Sequence, residues 1–594
     1  MGVSLPVLIR FQDLLHTRVK RINRAFREAI EDLGYKSLYQ GVFPIKVNQL
    51  REVVEEVLEA GQPYRLGLEC GSKAELMATL PYLVSEDMLL VCNGYKDVEM
   101  MRLLRAGQLL GKNVIPIMER AEELTLLREV ARQGLGTETG NTRPAAFGVR
   151  IRLSTSGAGL WSESGGEGSK FGLSYAELVS LVQGLRKERS LLDFKLLHYH
   201  LGSQLSSLNN VSQAAEEAAR VYAWLWKQGM DVRYVDIGGG LGVTYEAGNE
   251  DVRGGIDYVL SDYARAVVST FKQVCDAEAV PHPILVSESG RAIAAYHSVL
   301  VMEVIGQRVK GGTTLDLIPP SMHPLLEETA DLHATLAVTQ TAEAFERLAE
   351  RLEDLRTRTG TAFQLGDISL ETRAQAEGQL WQLGRSLRAT AVDAGITPSA
   401  ATPCLYSLDK SLADHYLCDF SVFRSMVDHW AIGQRFPVMP LHRLEEYPTE
   451  RGTLVDLTCD SDGKVANFIC PTGSKHALEL HPVRPGEPYF LGVFLMGAYQ
   501  DIMGDMHNLF GRVPEVHVYT DDEEPGDYYI EQILEGQNVE DILALVQYFP
   551  NDLARRMDKM IRREVKRGRI KPREGVQLLK LYRETFQSST YLRT

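Results

Sequence analysis

Gly41-Val42-Phe43-Pro44-Ile45-Lys46-Val47-Asn48-Gln49 sets a single lysine at the end of an apolar run. Val42–Val47 reads as a short buried strand and Arg51–Glu59 as the helix that follows it. Lys46 then stands where a strand of an α/β protein delivers its side chain to the carboxyl-end face. Burying an ammonium costs several kcal/mol, so stability alone does not select a lysine there. In such surroundings the amine can lose its proton and attack a carbonyl, as a Schiff-base lysine must. Taken alone, the stretch also fits a lysine that snorkels to solvent at a strand end.

Outward from this stretch, short apolar runs alternate with amphipathic helical patterns up to about residue 300. The expected strands are Val42–Val47, Tyr64–Glu69, Met88–Cys92, Asn113–Ile117, Phe147–Leu153, Phe194–His200, Val235–Ile237 and Ile284–Glu288. Eight β units in series, most followed by a helix, is the count of a closed (β/α)8 TIM barrel, an α/β fold. Right-handed crossovers place every strand's carboxyl end on one face. The expected division is a barrel over 1–305, an inserted charged helical module over 319–432, an all-β domain over 436–525 and a helical tail over 526–594. Ser298–Gln307 reads as a strand leaving the barrel for the β domain. The basic run Arg555–Arg569 reads as a solvated helix face.

The chain has 594 residues, too many for one hydrophobic core. Its formal net charge of -15 argues against nucleic acid or anionic membrane as the main partner. Seven cysteines without a CxxC pair read as reduced thiols. With no apolar run of membrane-spanning length and no signal pattern at the start, the expectation is a soluble cytoplasmic protein.

Polar clusters follow the expected strands. In His198-Tyr199-His200-Leu201-Gly202-Ser203-Gln204, an imidazole at a strand end precedes a small donor loop. His200 is the functional candidate, and His198 lies one pleat back on the same side. Asp236-Ile237-Gly238-Gly239-Gly240-Leu241-Gly242 follows the seventh strand, where barrels often bind phosphate through glycine-rich backbone. Glu288-Ser289-Gly290-Arg291 follows the eighth; it suits a cationic ring nitrogen and a phosphate, or an ordinary salt bridge. Cys459-Asp460-Ser461-Asp462-Gly463 offers only one soft ligand to a metal, and its thiol suits a proton donor, a nucleophile or a buried turn. No metal ligands are identified.

Together these clusters resemble the fold-type III, alanine-racemase-like pyridoxal-phosphate decarboxylases, most closely the biosynthetic arginine decarboxylase family. The resemblance rests on PIKVNQ at 44–49, GLECGSKAEL at 67–76, VCNGYKD at 91–97, KFGL at 170–173, HYHLGSQ at 198–204, GGGLGV at 238–243, ESGRA at 288–292, TCDSDG at 458–463 and GAYQDIMGDMHNLFG at 497–511. It implies that Lys46 holds pyridoxal 5'-phosphate as a Schiff base, that Glu288 pairs with the pyridine nitrogen and that His200 stacks on the ring. It gives Ser203, Gly239, Gly240, Gly290, Arg291 and Tyr499 to the phosphate. Cys459 and Asp460 would come from the partner subunit of a homodimer, possessing active sites shared across the two-fold axis. Asp460 would hold the cationic end of the amino-acid substrate, and Cys459 would reprotonate the carbanion. The implied reaction is L-arginine to agmatine and CO2, the entry to putrescine and spermidine. The resemblance also implies magnesium (Mg2+) dependence, and it leaves the assembly open between the homodimer and a tetramer.

Two departures stand out. Relatives usually carry several dozen residues ahead of the segment matching Leu5–Phe11. In Val427-Asp428-His429-Trp430-Ala431-Ile432-Gly433-Gln434 a second acid of the family segment is replaced by Gly433. If that segment lines the substrate pocket, Asp428 touches substrate and the missing carboxylate opens the choice to ornithine, lysine or citrulline. The rival of another class is a non-catalytic regulatory homologue.

Overall fold

The computed structural model describes residues 3–133, 143–155, 170–245, 256–311, 323–399, 401–470, 473–520 and 526–592. A five-residue strand, β1 (Val7–Phe11), precedes the barrel. The barrel strands are β2 (Tyr39–Pro44), β3 (Gly67–Cys70), β4 (Leu89–Cys92), β5 (Asn113–Met118), β6 (Ala145–Arg150), β7 (Leu192–His198), β8 (Tyr234–Asp236) and β9 (Ile284–Ser287). They close in sequence order, and every neighbouring pair is parallel. The seam is β2 against β9, with Gln40 opposite Val286.

Alternation along the strands divides the apolar residues between two faces. Val42, Leu89, Val91, Ile115, Ile117, Leu196, Tyr234 and Val286 pack together as the barrel interior. Phe43, Leu68, Leu90 and Phe147 belong instead to the larger core that includes the surrounding helices. Parallel strands covered on both faces read as continuous apolar runs, and so the sequence locates all eight.

Strands that lead into expected site residues end earlier than expected, whereas β3 and β5 each run one residue further. β2 stops at Pro44, and Ile45–Val47 forms a 3-10 turn. The run expected to end at His200 stops at His198, and the one expected to end at Glu288 stops at Ser287. Lys46, His200 and Glu288 therefore stand just beyond their strands.

β10 (Ser298–Arg308) leaves the barrel and becomes the centre of a mixed sheet. It pairs antiparallel with β1, with Phe490–Phe494 and with β11 (Asp414–Cys418). β1 lies parallel to Glu515–Thr520 on its other side. Three segments thus differ from the expected division, one of them Tyr528–Leu534, which was counted with the helical tail and pairs antiparallel with Glu515–Thr520 in this sheet. Val7–Phe11, counted with the barrel, is a strand of the second sheet. Asp414–Cys418, counted with the helical module, is another.

The module's helices are Pro324–Leu336, Ala342–Leu365, Leu370–Asp393 and Pro403–Leu412, and they share a core including Leu332, Phe345, Leu352, Leu380 and Leu405. Its expected start at Pro319 lies outside the described residues. The tail opens with a strand, Tyr528–Leu534, before the helices Val539–Leu545, Pro550–Lys566 and Pro572–Glu584. Its basic run is a solvated face: Arg556 pairs with Asp552 at 2.9 Å and Arg562 with Asp558 at 2.7 Å, all four on the same helix.

Arg10 of β1 ties the second sheet to the barrel. Fully buried, it donates from Nε to Glu515 Oε2 at 2.6 Å and from Nη2 to Asp501 Oδ2 at 2.7 Å, and its Nη1 reaches His297 Nε2 at 3.0 Å. Burial opposes ionisation of Glu515, but Arg10 outweighs it and holds the carboxyl well below the usual range. Arg10→Ala strips Asp501 of its cation and leaves Glu515 with Arg512 alone, 2.6 Å from Oε1, and is expected to cost about 3–5 kcal/mol, read as a lower urea midpoint. Because the folded pKa of Glu515 lies below its unfolded value of about 4.3, its contribution is full at neutral pH and is lost on acidification. The gap between wild type and variant is therefore expected to narrow as pH falls below about 4.

Candidate active site

The carboxyl ends of the barrel strands surround a cavity of about 230 Å³. Lys46, Glu69, Asn93, Glu119, Arg150, His198, His200 and Glu288 line it, one or more from nearly every strand end. Ser203, Gly239, Gly240, Gly290, Arg291 and Tyr499 line it as well. All the residues expected to contact the cofactor are thus brought together.

The floor is a hydrogen-bonded chain of buried polar groups. Lys46 Nζ donates to Glu69 Oε2 at 3.0 Å. Asn93 Nδ2 donates to Glu69 Oε1 at 2.9 Å and to Glu288 Oε1 at 2.6 Å. Beyond Glu288, Asp236 accepts from the Gly238 N–H at 2.9 Å. His198 Nδ1 stands 3.1 Å from Asp236 Oδ2 but is not aligned for a hydrogen bond. Glu69 is fully buried, whereas the Lys46 side chain is 45% exposed, so the amine faces the cavity.

Burial pushes Glu69 up to about 7, with Lys46 opposing and Glu288 reinforcing the shift. Burial pushes Asp236 up to about 7 as well, and raises Glu288, with Asp236 adding to the latter shift. For Lys46, burial favours the neutral amine, but Glu69 and Glu288 outweigh it and hold the ammonium above its ordinary range. This corrects the expectation that the strand-end setting alone releases the lysine's proton: the neighbouring carboxylates retain it.

His200 accepts from the Gly239 N–H at Nδ1, 3.2 Å away. Burial, with Arg150 and His198 nearby, drives its pKa well down, so the ring is a neutral face with its remaining N–H at Nε2. Arg291 donates from Nε to Ser203 Oγ at 3.2 Å and from Nη1 to the Tyr245 hydroxyl at 3.1 Å, with the Tyr499 ring 4.7 Å away. Tyr499 itself sits at φ +72°, its N–H bonded to Val47 O at 2.8 Å.

Asp428, expected at the substrate, does not line the cavity. It accepts from Gln500 Nε2 at 2.8 Å and stands 3.9 Å from Arg291 Nη1. Gly433 does not line it either. It caps the helix Val427–Ile432 at φ +69°, in the left-handed region that disfavours an acid's Cβ. Cys459 is exposed, its N–H held by Asn508 Oδ1 at 3.1 Å, and Asp460 Oδ2 lies 3.5 Å from His507 Nε2. Neither lines this chain's cavity.

Glu69, Asn93, Glu119 and Arg150 were not among the expected site residues. Their signal is the one that marks Lys46: a single polar residue ending an apolar strand, as in Gly-Leu-Glu, Val-Cys-Asn, Ile-Met-Glu and Val-Arg. Among the described residues, His198–Asp236–Glu288 and Glu346–Glu350–Cys404 gather three metal-capable side chains. Neither is the all-oxygen set that magnesium takes. Glu346 is instead occupied in capping, accepting from the Cys404 and Leu405 N–H groups at 2.7 and 3.0 Å. No helix among the described residues is long and apolar enough to cross a membrane.

Comparison with known proteins agrees with this geometry. Residues 19–295 match the pyridoxal-dependent decarboxylase, pyridoxal binding domain, and residues 539–592 match the arginine decarboxylase C-terminal helical extension. The biosynthetic arginine decarboxylase of Bacteroides thetaiotaomicron is 40% identical over 99% of this chain and 91% of its own length. That of Gloeobacter violaceus is 41% identical over 100% and 90%. The crystal structure of the biosynthetic arginine decarboxylase SpeA from Campylobacter jejuni superposes with a TM-score of 0.83 at 29% identity, covering 100% of this chain and 91% of that one. Diaminopimelate decarboxylase from Helicobacter pylori, at 15% identity and TM-score 0.57, shares the fold. A closed barrel whose strand ends carry these motifs, with relatives alike over nearly their full length, makes this chain a member of the biosynthetic arginine decarboxylase family.

Proposed function

We propose that this chain converts L-arginine to agmatine and CO2 with pyridoxal phosphate bound in the barrel-mouth cavity, a first step towards putrescine and spermidine. The observation that carries the reading is that one cavity gathers a lysine, buried carboxyls and a glycine-rich anion cradle. Lys46 and a buried carboxylate chain line it together with the bare backbone of Gly239, Gly240 and Gly290 and with Arg291. The substrate follows from the names of the full-length relatives, and decarboxylation of ornithine, lysine or citrulline is the second reading.

The residues fit the cofactor. A Cβ on Gly240 would lie 2.5 Å from Gly202 O, and one on Gly290 would lie 2.6 Å from both Pro44 Cγ and Val47 Cγ2. The loops therefore pack this closely only because these positions are bare, and glycine backbone of this kind can present its N–H groups to a phosphate. When bound, pyridoxal phosphate supplies a ring that accepts the electron pair of the breaking Cα–carboxylate bond. Lys46 Nζ is its covalent anchor. Glu288 keeps a proton on the ring nitrogen, and the neutral His200 covers a ring face. Ser203, Gly239, Gly240, Gly290, Arg291 and Tyr499 hold the phosphate, and Asp428 steadies Arg291 rather than touching substrate.

Cys459 and Asp460 serve the partner's cavity in a homodimer. Their exposure, away from the cavity of their own chain, supports this role. Asp460 holds the substrate's cationic end and Cys459 returns a proton to Cα. The free cysteines support a cytoplasmic location.

CO2 release from carboxyl-labelled arginine, ornithine, lysine and citrulline tests the reading. Release from arginine, abolished by Lys46→Ala together with the protein's visible absorption, is the expected result. Release from another substrate alone moves the specificity, and a wild type that takes up no cofactor overturns the reading in favour of a regulatory homologue. Inactive Lys46→Ala and Cys459→Ala chains, unfolded and refolded together, are expected to regain about a quarter of wild-type activity through mixed dimers with one intact site. No recovery refutes shared sites. Gly240→Ala adds a side chain at φ +110° and is expected to weaken pyridoxal phosphate binding about tenfold, read by titration of the cofactor-free protein.

A further inference from the structure

The ammonium of Lys46 poses a chemical problem. An amine condenses with an aldehyde only after losing a proton, yet Glu69 and Glu288 stabilise the protonated form. The cavity holds an acceptor at the right place. Glu69 Oε2 is 3.0 Å from Lys46 Nζ, while the other oxygen, Oε1, accepts from Asn93 Nδ2 at 2.9 Å. An amide cannot compete for the proton, and its second hydrogen is taken by Glu288 at 2.6 Å. Asn93 therefore fixes Glu69 with Oε2 turned to Lys46 and Oε1 already occupied. The carboxyl stays in place whether Oε2 is bare or protonated.

We infer that Glu69 is the catalytic proton carrier for Lys46. Oε2 takes one proton from the ammonium, leaving a neutral amine and a neutral carboxylic acid. As the amine nitrogen bonds to the aldehyde carbon, that carbon's bond to oxygen breaks. The oxygen leaves as water with two of the three ammonium protons, the first carried by Glu69. No oxidant or outside acid is needed, and the product nitrogen keeps the positive charge. Deepening the cofactor reading above, this inference rests on it.

The groups facing Glu69 are Lys46, Glu288, Asp236, His198 and Tyr499. Three carboxyls share this space with one lysine, so one of them is readily protonated near neutrality. Burial places Glu69 at about 7, near the working pH that suits a group required both to take and to give a proton.

The test separates binding from condensation. Pyridoxamine phosphate, which has no aldehyde, reports the cavity's affinity. Pyridoxal phosphate mixed with cofactor-free protein reports the condensation rate through the visible absorption of the Lys46 adduct. Glu69→Gln is expected to hold pyridoxamine phosphate within about threefold of wild type but to condense about 100-fold more slowly at pH 7. The wild-type rate is expected to rise with pH through about 7, and the variant to lack that rise. Glu69→Asp is expected to regain part of the rate. A Glu69→Gln rate equal to or above wild type overturns the inference, because a mere counter-ion, once removed, would free the amine. If Glu69→Gln no longer binds pyridoxamine phosphate, Glu69→Asp decides: an undiminished rate and unshifted profile overturn it. A wild type that takes up neither compound overturns the cofactor reading as well. A normal wild type with an unaffected Glu69→Gln overturns this inference alone.

Discussion

Three buried carboxyl groups facing one cavity-exposed ammonium at the mouth of a closed barrel are the constraint on which the site depends. Charges of one sign held this close oppose their own ionisation, and Lys46 offsets that repulsion only in part. Only a rigid ring of strands keeps Glu69, Asp236 and Glu288 together against that repulsion. The barrel interior below, from Val42 to Val286, is apolar and filled, so the polar layer cannot sink into it. The one amide bridging two of the acids then matters more than its size suggests, since it sets which oxygen of each remains available.

The second sheet solves a different problem. Tyr499 and the loop that carries it must reach a cavity built by residues more than two hundred positions earlier. β10 runs directly from the barrel into the sheet, so both share one continuous backbone. The Tyr499 N–H grips Val47 O next to Lys46, while Asn48 Nδ2 grips Gly497 O at 3.1 Å. The lysine turn and the tyrosine loop are thus laced together from both sides. Behind them, Arg10 anchors Asp501, two residues beyond Tyr499.

Much of this was legible because it is local. Parallel strands announce themselves as apolar runs, and the polar residue ending each run marks the cavity. The turn at Ile45–Val47 was not legible, since Ile45 and Val47 are as apolar as the strand before them and a lone Lys46 between them also fits a polar strand end. β1 and β11 escaped notice because five-residue strands gain their identity from partners far along the chain, here Val516 for Ile9 and Gln307 for Tyr416. Asp428 illustrates another limit: composition shows an acid near the site, but only packing shows that Arg291 and Gln500 claim it. Gly433, which reads as a missing carboxylate, is a helix terminator demanding a positive φ.

The pairing of β1 with Glu515–Thr520 also has a consequence for biosynthesis. Arg10 leaves the ribosome 505 residues before Glu515 exists, an interval of roughly 25–100 s at ordinary translation rates. Throughout that time the barrel sequence is available to close, but β1 carries an unmatched cation and an open edge. A message cut short anywhere before Glu515 thus yields a chain with this edge still open. Such a chain advertises its incompleteness to chaperones and proteases at β1, which is made before the barrel.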